Sequence, residues 1–251
     1  MSYEHFAYLY DELMQDAPYD EWVRFVKEKL QTYQVDGKNL LDLACGTGEL
    51  SVRFAKEGFS VTGVDLSADM LAVAQAKAQE EGLRIPFFEQ NMANLEGHGE
   101  FDVIGIFCDS LNYLRSDEDV LHTFTSTYEH LKENGIFIFD VHSTYKISDV
   151  FIDQTFASTE DYVSYIWNSF SGELPDSVEH ELSFFVLDEQ TGKYDRFDEL
   201  HYQRTYPIQQ YTDWLVEAGF ELLEVCADFD TKEPQSNSER IFFIARKKPS
   251  L

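Results

Sequence analysis

The sequence predicts an α/β fold in which a mostly parallel sheet carries helices on both faces and a second, antiparallel sheet is inserted. Strand and helix patterns alternate from about residue 39 to residue 150, which is typical of consecutive βαβ units. Beyond Val150 this alternation gives way to an aromatic-rich stretch in which apolar and polar residues alternate with period two. A helix and two strands then resume the first pattern.

Short apolar runs and amphipathic segments define the first half of the fold. Two amphipathic helices, Glu4–Met14 and Tyr19–Tyr33, precede the first strand, and Ser67 is a good N-cap for a later helix. The elements predicted after them are strand Asn39–Leu43, helix Glu49–Lys56, strand Ser60–Val64, helix Ala68–Glu80, strand Ile85–Phe88, strand Asp102–Phe107, helix Asp117–Leu131 and strand Gly135–Asp140.

The aromatic-rich stretch predicts three antiparallel strands, with a turn around Gly192 before the third. These strands are Tyr162–Phe170, Glu181–Leu187 and Tyr194–Tyr206. The elements after them are helix Pro207–Ala218 and strands Phe220–Asp228 and Arg240–Arg246. We expect the last strand to be antiparallel, at or beside the sheet edge. We therefore expect a main domain with an N-terminal helical lid, residues 1–150 and 207–251, and an inserted β subdomain, residues 151–206.

The charge and composition limit the class of protein. Of the 251 residues, 47 are acidic and 19 basic, so the formal net charge is −28. Such a charge repels a polyanion, so nucleic acid is not an expected partner. No apolar run is long enough for a membrane helix, and the first residues lack the basic and apolar segments of a signal peptide. With three scattered cysteines, the chain is expected to be cytoplasmic and free of membrane.

The most informative segment is the small-residue turn after the first strand. Residues 40–50 read Leu-Leu-Asp-Leu-Ala-Cys-Gly-Thr-Gly-Glu-Leu, an apolar run, a turn and the start of a helix. In open α/β sheets a nucleotide-like ligand binds outside the carboxyl end of this strand. Asp65 ends the second strand pattern about 20 residues later, where a carboxylate can accept hydrogen bonds from both hydroxyls of a ribose.

The spacing of small residues argues against a dinucleotide as this ligand. A dinucleotide loop needs small residues at its first, third and sixth positions, which are Ala44, Gly46 and Glu49 here. Glu49 is bulky, and its charge lies at a helix N-terminus where a pyrophosphate would have to bind. A nicotinamide oxidoreductase is therefore disfavoured. S-adenosyl-L-methionine (SAM) has a ribose, a positive sulfonium and no phosphate, and it fits.

At this point the chain resembles the class I SAM-dependent methyltransferases, because Asp-Leu-Ala-Cys-Gly-Thr-Gly matches their first motif. The segments Phe-Ala-Tyr-Leu-Tyr-Asp-Glu-Leu-Met and Cys-Asp-Ser-Leu-Asn-Tyr-Leu resemble, more specifically, the YqeM-like bacterial methyltransferases. The resemblance implies a Rossmann-like, seven-stranded sheet, with SAM as cofactor and S-adenosyl-L-homocysteine (SAH) as product. Gly46 and Gly48 would let the backbone pass close to the cofactor's methionine part.

The resemblance also implies a set of cofactor-binding residues. Asp42 would lie near the cofactor's amino group, Asp65 would bind the ribose, and Leu66 would pack on the adenine. Asn91 stands where the family usually has an aspartate that accepts from the adenine amino group, and Tyr10 would close over the methionine end. The complete set is Tyr10, Asp42, Ala44, Gly46, Gly48, Asp65, Leu66, Asn91, Met92 and Cys108.

Three side chains are candidates for a catalytic role. Asp109 follows the fourth strand at the ligand-facing edge, and helix capping explains it equally well. His142 comes just after the fifth strand and His201 lies in the inserted sheet, and each could instead be a structural histidine. No clustered carboxylates or other metal ligands are recognisable, so no metal is expected.

We expect a SAM-dependent methyltransferase that acts by in-line displacement on a small-molecule acceptor, with amines among the candidates. Methylation of RNA or of a ribosome-associated target is the alternative among enzymes. A non-catalytic SAM-binding regulator or interaction module is the alternative outside them. The inserted sheet is expected to form the outer wall of the pocket, and a homodimer surface is its other candidate role.

Overall fold

A computed structural model describes residues 10, 11, 14, 17–159 and 161–249. The helices in this part of the chain are α1 Tyr19–Thr32, α2 Glu49–Lys56, α3 Ala68–Glu80, α4 Asp117–His130 and α5 Ile208–Glu217. The strands are β1 Asn39–Leu43, β2 Ser60–Asp65, β3 Phe87–Glu89, β4 Phe101–Ile106, β5 Leu131–His142, β6 Gln154–Thr159, β7 Val163–Ser171, β8 Ser177–Asp188, β9 Lys193–Arg204, β10 Phe220–Ala227 and β11 Arg240–Lys247. The predicted helix Glu4–Met14 lies largely outside the described residues. None of the described helices is both long and apolar enough to cross a membrane.

Seven strands form the main sheet in the order β10-β11-β5-β4-β1-β2-β3. The pairs β1–β2, β2–β3, β1–β4 and β4–β5 are parallel, whereas β11 is antiparallel to both β5 and β10. The predicted α/β fold is confirmed, and β11 lies one strand in from the edge. From β1 the strand order runs to one edge through β2 and β3, and from β4 it runs toward the other edge through β5, so a crevice opens outside the carboxyl ends of β1 and β4.

The second sheet is antiparallel, with four strands in the order β6-β7-β8-β9. The sequence pattern predicts the last three of these but not β6, because Gln-Thr-Phe-Ala-Ser-Thr holds a single large apolar residue. A π-helical turn at Lys146–Phe151 links the two sheets and is also not predicted. Ile147 and Phe151 of this turn pack against Val178 of β8. The division into a domain and a subdomain stays a prediction.

Apolar layers bury both faces of the main sheet. Successive residues of β5 and β11 point to opposite faces, so the central parts of these strands, residues 136–139 and 241–245, are apolar at every position. Phe139 and Phe243 belong to the layer that contains residues of α4 and α5. Ile138 and Phe242 belong to the layer that contains residues of α1 and α2. This rigid double layer holds the strand ends at which the cleft opens.

Packing between α2 and α3 requires glycine at position 48. Gly48 has a φ of +74°, and a Cβ there would lie 2.8 Å from the Cβ of Ala74. Real Cβ atoms do not approach so closely, and an L-residue is also strained at this φ. Helix packing is therefore sufficient to require this glycine, and the clearance for a cofactor stays a prediction.

Replacing Gly48 by alanine should destabilise the protein by about 2 kcal/mol or more. A left-handed alanine costs about 1–2 kcal/mol, and its methyl group must also displace Ala74. The control is Gly192→Ala, because Gly192 has a φ of +67° and open space around a Cβ. Urea unfolding followed by circular dichroism measures both losses. Equal losses would contradict a packing role for Gly48.

Candidate active site

A cleft of about 660 Å³ opens at the carboxyl ends of β1, β2 and β4 and extends to β9 of the second sheet. Every predicted cofactor-binding residue except Gly48 lines it. Of the three catalytic candidates, His201 lines it, whereas Asp109 and His142 do not. Among the described residues, no group of three His, Cys, Asp or Glu side chains could hold a metal ion.

Asp65 organises the glycine turn on the cofactor side of the cleft. Its Oδ2 accepts a hydrogen bond of 2.7 Å from the Gly46 N–H, and its Oδ1 accepts one of 2.9 Å from the Ser67 N–H. Burial raises the pKa of Asp65, although these hydrogen bonds oppose the rise. Each carboxylate oxygen keeps a further lone pair, so the same group can also accept from a ribose.

Ala44 carries backbone strain in this turn. Its φ is +61°, a left-handed conformation that costs an alanine about 1–2 kcal/mol. A glycine at this position would avoid the cost. From the sequence, Ala44 only adds a methyl group to the turn. The strain follows from its φ, which the structure alone gives.

The adenine end of the cleft combines an exposed apolar side chain with a capped turn. Leu66 is 67% exposed at the cleft, so its apolar surface is available for a flat ring to cover. The Oδ1 of Asn91 accepts a hydrogen bond of 2.9 Å from the Ala93 N–H and so caps the short 3₁₀ turn Met92–Asn94. The expected contact of Asn91 with adenine therefore shares its acceptor oxygen with this cap.

Asp42 is a buried acid at the bottom of the cleft. It is 2% exposed, and its Oδ2 accepts a hydrogen bond of 2.5 Å from the Ser51 hydroxyl. Burial raises the pKa of Asp42 to about 7, against the opposing effect of Ser51. A cation bound next to this carboxyl would favour its ionised form.

The described end of the N-terminal segment is tied to the glycine turn by Asp11. The Thr47 hydroxyl donates to Asp11 Oδ1 at 2.5 Å, and Lys77 Nζ lies 2.8 Å from Asp11 Oδ2. Lys77 also pairs with Glu49 at 2.8 Å. Burial pushes the pKa of Glu49 upward, but Lys77 outweighs it and the pKa is lowered. These contacts keep Tyr10 at the cleft and neutralise much of the Glu49 charge.

Asp140, at the end of β5, holds the turn after β4. Its carboxylate accepts hydrogen bonds from the backbone N–H groups of Cys108 at 3.0 Å and Asp109 at 2.9 Å. It also accepts from the Trp22 indole at 2.8 Å and pairs with Arg240. Cys108 and Asp109 have φ values of +54° and +52°. One buried carboxylate therefore holds two successive residues in a costly left-handed conformation.

Asp109 and His142 belong to the same buried network. Asp109 pairs with Arg240 at 2.8 Å and with His142 Nε2 at 3.2 Å, and it accepts from Gln203 Nε2 at 2.9 Å. Burial raises the pKa of Asp109, but His142 and Arg240 outweigh this and hold the pKa well below its ordinary value. A carboxylate held ionised by such partners is a poor proton acceptor. The geometry favours a structural role for Asp109 and His142 over the catalytic role considered from the sequence.

His201 lies on the far wall of the cleft, on β9. Its Nδ1 is 3.1 Å from the hydroxyl of Tyr113, which also lines the cleft. Burial lowers the pKa of His201, so its imidazole is neutral near pH 7. Burial raises the pKa of Tyr113, which keeps its hydroxyl protonated.

Comparison with known proteins decides the family. Residues 40–135 match the model of a methyltransferase domain. The chain is 57% identical to a protein of Geobacillus sp. (strain WCH70), over 98% of this chain and 100% of the relative, and 48% identical to YqeM of Bacillus subtilis (strain 168), over 100% and 99%. Both relatives are named as methyltransferases, and neither name gives an acceptor. The chain belongs to the YqeM-like methyltransferases.

A related crystal structure supports the same assignment for this YqeM-like enzyme. A S-adenosylmethionine-dependent methyltransferase from Clostridium acetobutylicum ATCC 824 superposes with a TM-score of 0.89 at 33% identity, over 98% of this chain and 99% of the other. A glycine/sarcosine N-methyltransferase from Halorhodospira halochloris is 27% identical over 83% of this chain and 75% of its own length. The protein is a SAM-dependent methyltransferase, and the buried carboxyls and exposed Leu66 of the cleft fit SAM as its cofactor.

Replacing Asp140 by alanine should cost about 3–5 kcal/mol of stability, because Arg240 would lose a buried counter-charge and two backbone N–H groups their acceptor. Asp140→Asn retains an acceptor oxygen and should lose less. The control is Asp198→Asn, which removes an exposed ion pair with Arg196 and should leave stability unchanged. Denaturant unfolding gives all three values. A loss no larger for Asp140→Ala than for the control would contradict the central role of this carboxylate.

Proposed function

We propose that this methyltransferase acts on a small-molecule amine and that His201 accepts a proton from it. The proposal rests on the position of His201, which lines the cleft on the wall opposite the cofactor-side residues. An amine must lose its proton before its lone pair can attack a methyl group. With Nδ1–H donating to the Tyr113 hydroxyl, the second nitrogen of the neutral ring has the lone pair to accept that proton.

SAM supplies an activated methyl group, so the work of the chain is alignment and proton transfer. In the proposed arrangement Asp65 binds the ribose and Leu66 covers the adenine. The carboxylate of Asp42 balances the positive charge of the amino group of SAM. The second sheet serves as the outer wall of the cleft through residues 199–202 of β9. Holding the reacting atoms in line at about 3 Å can contribute about 7–11 kcal/mol to catalysis.

The charges of the cleft favour a small molecule over RNA. Among the described residues that line it, Arg115 is the sole arginine or lysine, whereas several are carboxylic acids. RNA binding depends on phosphate contacts with clustered cations, so this lining and the net charge of −28 oppose it. The glycine/sarcosine N-methyltransferase relative supports an amine acceptor.

Asp65→Ala should weaken SAM binding by about tenfold or more, since hydrogen bonds to a charged group contribute about 1.5–3 kcal/mol each. Glu89→Ala is the control, because Glu89 pairs in register with Asp65 at the same sheet edge and is exposed. Calorimetric titration with SAM gives the affinities, and circular dichroism checks the fold. Unchanged affinity in Asp65→Ala would remove Asp65 from the proposed site.

His201→Gln should lower kcat for an amine acceptor by about 10²–10⁴-fold, the usual size of general-base catalysis. In the unchanged enzyme, kcat/KM should rise with pH through a pKa below the ordinary histidine value, because His201 is active when deprotonated. This rise of kcat/KM with pH should disappear in His201→Gln and persist in the exposed control His122→Gln. SAH release from a panel of small amines gives the rates. If kcat/KM of His201→Gln still rises with pH through the same pKa, His201 is excluded as the base.

A further inference from the structure

We infer that the methyl acceptor is a zwitterion, an amine that also carries an oxyanion group, bound between Glu199 and Arg115. The inference rests on the proposed amine function and adds the second charged group of the acceptor. Two side chains of opposite charge line the acceptor side of the cleft, and neither has a counter-charge within the described part of the chain. A ligand with both charges would satisfy both.

Arg115 is placed to bind the oxyanion. Its guanidinium lies over the ring of Tyr202, 4.5 Å from the ring centroid, and makes no hydrogen bond or ion pair with any described residue. Stacking on a ring keeps this planar group oriented and leaves its edge N–H groups available for a bidentate contact. Among the described residues that line the cleft, Arg115 is the one arginine or lysine, so an anionic group bound there would have this guanidinium as its counter-charge.

The acidic residues that follow Arg115 in the chain are committed elsewhere. Asp117 Oδ1 accepts hydrogen bonds from Arg204 at 3.0 Å and from the Tyr206 hydroxyl at 2.9 Å. Asp119 Oδ2 accepts from the Ser116 hydroxyl at 2.6 Å. An anionic ligand could therefore bind Arg115 without displacing an existing ion pair.

Glu199 is the matching anion on the same wall of the cleft, since Arg115 lies over Tyr202 of the strand that carries Glu199. It lies on β9 two residues before His201, so both side chains lie on the same face of the strand. It makes no hydrogen bond or ion pair with the described residues, and burial raises its pKa. A protonated amine beside this carboxyl would restore its charge. The amine would then lie next to the imidazole to which it must give up its proton.

Arg115 and Glu199 do not form an ion pair with each other, although both line one cleft. A simple amine would leave the guanidinium uncompensated. A purely anionic acceptor would meet the carboxylates of Glu199 and Asp119. Only a ligand with a cationic and an anionic end matches both side chains, and its anionic end orients its nitrogen toward His201.

The test compares SAH release from matched acceptors that differ by one oxyanion group. The carboxylate arm pairs glycine with methylamine, β-alanine with ethylamine and 4-aminobutyrate with propylamine, and the phosphate arm pairs O-phosphoethanolamine with ethanolamine. In at least one pair the zwitterion should have a kcat/KM about tenfold higher or more, as expected for a charge-assisted bidentate contact. Arg115→Gln should abolish this preference while SAM affinity stays unchanged. Glu199→Gln should raise KM for the zwitterion, whereas the exposed controls Arg196→Gln and Glu181→Gln should behave like the unchanged enzyme.

The possible failures are distinguishable. If the amines without an oxyanion group react as well as their zwitterionic partners, the zwitterion inference is overturned and the amine function stands. The same holds if the preference for the zwitterion survives Arg115→Gln. If no amine of either arm is methylated by enzyme that binds SAM, both the inference and the proposed function are overturned. The arm that shows the preference identifies the oxyanion as carboxylate or phosphate.

Discussion

The cleft depends on one buried carboxylate, that of Asp140. A charge removed from water is costly unless an ion pair and hydrogen bonds compensate it, and Asp140 has both through Arg240, Trp22 and two backbone N–H groups. Its partners come from α1, from the turn after β4 and from β11. The floor of the cleft is therefore fixed by side chains distant in sequence, and the turn after β4 keeps a conformation that its own residues disfavour.

The parts of the site that could be predicted from the sequence are those set by neighbouring residues. The turn between β1 and α2 and the position of Asp65 follow from strand and glycine patterns within a short stretch. The contacts of Asp109 and His142 could not be predicted, because they form with Arg240 and Gln203, which are 131 and 94 residues from Asp109. Strand β6 was missed since its residues show little period-two alternation, and its pairing with β7 decides its conformation.

The conclusion that the cofactor is SAM and not a dinucleotide is correct, but the structure changes one of the reasons for it. The sequence places the charge of Glu49 where a pyrophosphate would bind, but Lys77 compensates that charge in the structure. The bulk of Glu49 and the buried acid Asp42 remain as the features that oppose a phosphate-bearing ligand. Charge counted along a sequence thus overstates the local field wherever a distant lysine folds back onto the site.

The contact of Asp11 with Thr47 and Lys77 has a consequence for how the enzyme responds to its medium. The Asp11 and Lys77 side chains are 30% and 20% exposed, so dissolved ions reach this pair and weaken it. The link between Asp11 and the glycine turn is therefore sensitive to ionic strength, unlike the Asp140–Arg240 pair, in which the carboxylate is fully buried. Affinities of this enzyme for SAM should accordingly be compared only between buffers of matched salt concentration.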